Sequence, residues 1–154
     1  MTVNTMQLES LLREALFGLG VMGAVAVCNI YSFAWVTLSY RRSLKQSVLH
    51  GQHFEIFRFV GFILLLVLTM LLSLSIWVFA LTYFEFAPDW LSSLLFTAGF
   101  FTTIGNFSLS MPTGWRLIPS IIAFSGLFSF AWATGSSMSM ASNLMQQLEK
   151  HKQI

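Results

Sequence analysis

Charge is what this chain has least of. Only 9% of its 154 residues are Asp, Glu, Lys or Arg, against 56% hydrophobic. Soluble domains carry roughly a quarter charged residues, so a soluble domain is excluded and an integral membrane protein is expected. The net charge of +2 is small and set by a few scattered clusters. Nucleic acid is therefore not expected as a partner. The single cysteine, Cys28, rules out an intrachain disulfide. The opening MTVNTMQLES has no basic segment and no cleavage-site pattern, so a removed signal peptide is not expected. Carboxylates, histidines and nucleophile clusters are missing from the apolar runs. Proton pumping, metal catalysis and intramembrane proteolysis all need such embedded groups. No enzymatic activity, cofactor or bound metal is expected. His50, His53 and His151 have too few companion ligands to change that.

What is present is length without charge. Residues 15–40, 59–84 and 117–148 are uncharged, and each exceeds the ~20 residues that cross a bilayer core as a helix. A further uncharged run, 90–115, differs. Only its first part, WLSSLLFTAGFF, reads as an apolar helix. Twelve residues rise about 18 Å, too little to span and suited to a re-entrant segment. Charge tests this independently. The connector 41–58 carries Arg41, Arg42, Lys45 and Arg58 against Glu55, and the tail carries Lys150 and Lys152 against Glu149. Both favour the cytoplasmic side. An even number of crossings must separate them, and runs 59–84 and 117–148 supply it. The N-terminus then lies outside and the C-terminus in the cytoplasm. The expected organisation is 1–58 (N-terminal segment, first transmembrane helix and basic loop), 59–141 (two spanning helices around the short one) and 142–154 (a short helical tail).

The short helix runs into FTTIGNFSLSMPTGWR, rich in Gly, Thr, Ser and Pro. Irregular backbone at membrane depth must be buried in protein or line a water-filled cavity, because lipid cannot satisfy its amides. One half-helix cannot enclose a pore alone, so several copies are expected around it.

Here the residues resemble a known family. A short helix, then T-T-x-G, then a final membrane helix is similar to the pore module of tetrameric potassium channels. IWVFALTYFE, FTTIG, PTGWRLI and GLFSFAWATGSSM are similar to small bacterial channel-like proteins with one extra helix ahead of the two-helix pore unit. The resemblance covers roughly residues 55–142. It implies an all-α membrane protein of three transmembrane helices plus a re-entrant pore helix and filter loop. It implies a homotetramer around a central pore, in a bacterial inner membrane. It implies an ion filter of Thr102, Thr103, Ile104, Gly105, Asn106 and Phe107, in which Thr103, Ile104 and Gly105 occupy the first positions of T-V-G-Y-G. Carbonyls of such a run replace an ion's water shell.

The match then departs. Asn106 stands in place of Tyr and Phe107 in place of the second Gly. A bulky residue is an outlier at the positive φ that glycine permits. Strict potassium selectivity is therefore not expected. Glu85 and Asp89 would form an outer vestibule that attracts cations, or serve as ordinary loop charges. Gly126 would act as a hinge of the inner helix, or simply allow close packing. Leu127, Phe130, Thr134 and Met138 share one helical face and would line the inner cavity and gate. The function expected is passive conduction of K+ and Na+ with altered or weak selectivity. The alternatives are a non-conducting accessory subunit of a larger membrane complex, and a plain helical bundle.

Overall fold

The computed structural model describes residues 2–46, 52–86, 89–105 and 115–152. Four helices account for almost all of them: α1 (Thr2–Gln46), α2 (Gln52–Tyr83), α3 (Trp90–Phe101) and α4 (Ile118–Lys152). No strand occurs among the described residues. Three helices are long and apolar enough to cross a membrane, over Leu8–Ser43, Ile56–Tyr83 and Ile118–Gln146. This is an all-helical protein built to be integral to a membrane. The short helix has the bounds expected from its apolar letters, Trp90–Phe101. α4 continues without a break through residues 142–152.

The long helices pack as a three-helix bundle whose direction is fixed by contacts at both ends. At one end, Phe17 of α1 sets its ring 4.8 Å from that of Phe84, just past α2, and 5.5 Å from Trp115, just before α4. At the other, Tyr40 of α1 meets Phe59 and Phe62 of α2, ring centroids 6.2 and 5.3 Å apart. So α2 runs against α1, and α4 runs with it. The flanks of the basic connector and the C-terminal half of α4 share one end of the bundle, as the charge parity required.

Two apolar clusters fill the interior. One is built on Val25, Trp77, Leu81, Phe96, Ile118 and Ile122. The other is built on Phe33, Val36, Tyr40, Leu66, Ala133 and Met140. Between them lies a polar belt. Asn29 of α1 donates through Nδ2 to Ser129 Oγ of α4 at 2.8 Å and accepts at Oδ1 from Ser73 Oγ of α2 at 2.7 Å. One turn away, Trp77 Nε1 donates to Ser125 Oγ at 3.0 Å. All five residues are buried. Inside a bilayer the hydrophobic effect does not drive helices together, so such bonds and close packing must hold them.

Replacing Asn29 with Ala removes both bonds from a residue that joins all three long helices. Interhelical hydrogen bonds in membranes average ~0.6 kcal/mol and reach ~1.7, so a loss of about 1–2 kcal/mol is expected. Unfolding of the purified protein in mixed detergent micelles measures it. An unshifted midpoint would show that the carboxamide does not hold the bundle.

Candidate pore-loop site

The site is built on α3, and α3 is defined at both ends by caps. Asp89 is its N-cap, in extended conformation. Its Oδ2 accepts from Ser92 N–H at 3.0 Å, and its Oδ1 accepts from Ser92 Oγ at 2.7 Å. These donors hold the Asp89 carboxyl below its usual range, the hydroxyl first and the backbone N–H second. One carboxylate of the expected vestibule thus has a structural task in its own chain. Glu85 is exposed and ends α2 at φ 55°. Its N–H donates to Thr82 O and that of Phe86 to Leu81 O, both at 3.1 Å. That pair of bonds is a Schellman cap, whose left-handed position normally takes glycine.

At its far end α3 stops in a similar way. Thr103 N–H donates to Phe100 O and Gly105 N–H to Gly99 O, each at 2.9 Å. Thr102 Oγ1 turns back onto Ala98 O at 2.7 Å. The carbonyls at the end of α3 are thereby satisfied locally. Thr103 occupies the left-handed position with φ 62°, and Gly105 follows with φ 84°. Glycine reaches that region freely, but a β-branched residue there is an outlier. Thr102, Thr103 and Ile104 are exposed, Ile104 by 80%. Asn106 and Phe107 lie outside the described residues.

The buried face of α3, Ser93, Phe96, Thr97 and Phe101, docks on the bundle. Its last carbonyl presses against α4 at Gly126. A Cβ built on Gly126 would lie 1.9 Å from Phe101 O, so a Gly126 hydrogen points at that oxygen as in a Cα–H···O contact. The Phe101 ring lies 6.3 Å from that of Phe130. Gly126 is eight positions past the start of α4, about 12 Å along it, so the end of α3 reaches well down the bundle side. Leu127, Phe130, Thr134 and Met138 are all exposed among the described residues. Thr102, Thr103 and Ile104 thus follow the α3 end that docks at Gly126, one turn before a stripe of α4 that is exposed among the described residues. Asp89 caps the opposite end of α3, about 18 Å along the helix from Thr102.

A buried acid borders the first uncharged run. Glu14 is 1% exposed although it lies on the edge of an uncharged run. Its Oε1 accepts from the N–H groups of Leu117 and Ile118, the latter at 3.2 Å, and so caps α4. Arg13 lies beside it, its guanidinium 5.7 Å from the Trp115 ring centre. Burial here follows the meeting of α1 with the start of α4, which a count of uncharged letters does not reveal. Asn29, Ser73, Ser125 and Ser129 also escaped a reading by charge. Their signal was available as 4-residue spacing: Thr69, Ser73 and Trp77 on α2, and Ser125 and Ser129 on α4.

No family model matches the chain, no curated protein is significantly similar to it, and no solved structure matches it.

Proposed function

We propose that this chain is the subunit of a pore-loop cation channel, a homotetramer that conducts K+ and Na+ with weak selectivity. Its N-terminus would lie outside and its C-terminus in the cytoplasm of a bacterial inner membrane. No enzymatic step, metal or cofactor enters the reading. The comparisons with known proteins add nothing to it, so its support is local geometry.

One observation carries it. Among the described residues, the non-glycine positions with positive φ are Glu85 and Thr103. Such positions cost of order 1–3 kcal/mol and cluster where function demands them. In this reading both lie on the ion path. Glu85 keeps a carboxylate at the mouth, where glycine would cap α2 more easily. Thr103 keeps a hydroxyl and a carbonyl in the filter, where glycine would end α3 more easily. The short helix before Thr103 and the exposed stripe of α4 give the remaining parts, pore helix and inner cavity.

The test is cation flux into proteoliposomes holding only this protein. Potassium and sodium flux at similar rates is the expected result. Thr103→Gly is the informative variant. It relieves about 1 kcal/mol of left-handed strain and so unfolds later, yet it alters or abolishes conduction. Phe107→Gly raises flux if Phe107 narrows the filter. Strong potassium preference would overturn the weak-selectivity reading. Absence of flux in the parent chain and in Phe107→Gly would favour the accessory subunit of a larger complex.

A further inference from the structure

A groove of about 550 Å³ runs between α1 and α4. Its two ends differ in chemistry. At one end stand the Arg41 guanidinium and the hydroxyls of Thr37, Ser136 and Ser139; at the other are Ile30, Phe33 and Trp132. Phe33 and Trp132 form a wall there, their rings stacked 6.4 Å apart at 26°. Several serine and threonine hydroxyls of the bundle turn back onto the carbonyl four residues before, as Ser75, Thr134 and Ser137 do, whereas Thr82, Ser93 and Thr97 do not. The three groove hydroxyls have no such partner among the described residues.

Dimensions agree with the chemistry. From Arg41 to Ile30 is eleven residues, about 16 Å of helix, close to half of a ~30 Å hydrocarbon core. Arg41 is also where the uncharged run of α1 ends, with Arg42 next to it. The polar end thus sits at the membrane boundary and the apolar end at the depth of Asn29, near the bundle middle. A long cavity with a cation and free donors at the interface and an aromatic wall inside suits one kind of molecule. Basic pockets between membrane helices bind anionic lipid headgroups.

We propose that this groove holds one anionic phospholipid. Its phosphodiester would be held by Arg41 and the three hydroxyls, and one acyl chain would lie along Phe33 and Trp132. A second helix would also fill an apolar cleft, but it would leave Arg41 and the hydroxyls without an acceptor. Two other large grooves among the described residues carry no charged lining residue and have no means to choose a headgroup. The site is independent of the conduction proposal. Trp132, Gly135 and Ser139 occupy a different face of α4 from Leu127, Phe130, Thr134 and Met138.

Two substitutions separate charge from shape. Arg41→Gln removes the cation and keeps the groove. Gly135→Leu keeps the cation and fills the groove, and it should fold, because a Cβ at Gly135 meets nothing within 4 Å. The experiment is native mass spectrometry of the purified full chain. Palmitoyl-oleoyl phosphatidylglycerol is titrated against phosphatidylcholine with the same acyl chains. Phosphatidylglycerol is expected to bind more tightly than phosphatidylcholine, with one molecule retained per chain. One Arg near an anionic surface contributes ~1 kcal/mol, so Arg41→Gln should weaken phosphatidylglycerol about fivefold and remove the preference. Gly135→Leu should weaken both lipids. Equal binding of the two lipids by the parent chain would overturn the proposal. So would a Gly135→Leu protein that binds phosphatidylglycerol as the parent does, since the charge would then act without the groove.

Discussion

Gly126→Ala is expected to be the most damaging single methyl in this protein. The added Cβ would sit 1.9 Å from Phe101 O and 2.8 Å from the carbonyl carbon. Both atoms are backbone at the capped end of α3, so no rotamer change can relieve the clash. Either α3 or α4 must move, and overpacking of this kind costs about 1–3 kcal/mol or more. The internal controls are unusually clean. A Cβ at Gly61 or Gly23 meets nothing within 4 Å, and alanine exceeds glycine in helix propensity by roughly 1 kcal/mol. Those changes should be neutral or stabilising. Gly18 is intermediate, because its nearest atom is the end of the flexible Ile121 side chain, 2.3 Å away. Unfolding midpoints in mixed micelles would rank the series. A Gly126→Ala protein as stable as Gly61→Ala would defeat the packing account. If that protein also lost flux, the hinge role would be favoured instead.

Glu14→Leu should come second. Glu14 Oε1 serves two backbone N–H groups at the start of α4 and is buried with them. Hydrogen bonds to charged groups contribute about 1.5–3 kcal/mol, and stranding a buried donor costs a similar amount. Glu14 also faces the positive end of a helix, worth up to ~2 kcal/mol in partly buried sites, while its Oε2 is buried without a hydrogen-bond partner among the described residues and offsets part of that gain. These overlap rather than add, so a net loss of about 2–4 kcal/mol is expected for Leu. Gln keeps an acceptor oxygen and loses the charge, so Glu14→Gln should fall between Leu and the parent. The same unfolding assay reads all three. Equal midpoints for Leu and Gln would mean that the acceptor does not matter, and that α4 starts without help from α1.

The skeleton of this fold was legible because charge is so rare in it. Every break between helices coincides with charged or Gly/Pro-containing letters, and the bounds of α3 could be read from WLSSLLFTAGFF alone. The parity of crossings followed from Arg41, Arg42 and Arg58 together with Lys150 and Lys152. What charge could not reveal is which face of a helix meets which neighbour. Asn29, Ser73 and Ser129 look like incidental polar letters in apolar runs until three helices bring them within 3 Å. Glu14 was hidden for the opposite reason, since an acid at the edge of a run is ordinarily solvated. Gly126 read by sequence as a close-packing position or, less readily, a hinge, because glycine's lack of a side chain serves both. The position of Phe101 O shows the contact. The left-handed backbone at Glu85 and Thr103 had no sequence signal at all, since neither residue type favours it.

The polar belt also constrains the order in which the chain can be completed. Helices enter a membrane from the ribosome in sequence, so α1 and α2 are present before α4. At that stage Ser73 can already satisfy Asn29 Oδ1. The Asn29 amide and the Trp77 indole N–H, however, find their acceptors on Ser129 and Ser125. Both of those are supplied by the last helix. Until it arrives, two donors from different helices lack their native acceptors. The final helix is thus not an addition to a finished hairpin. It supplies the native acceptors for one donor from each of the two earlier helices.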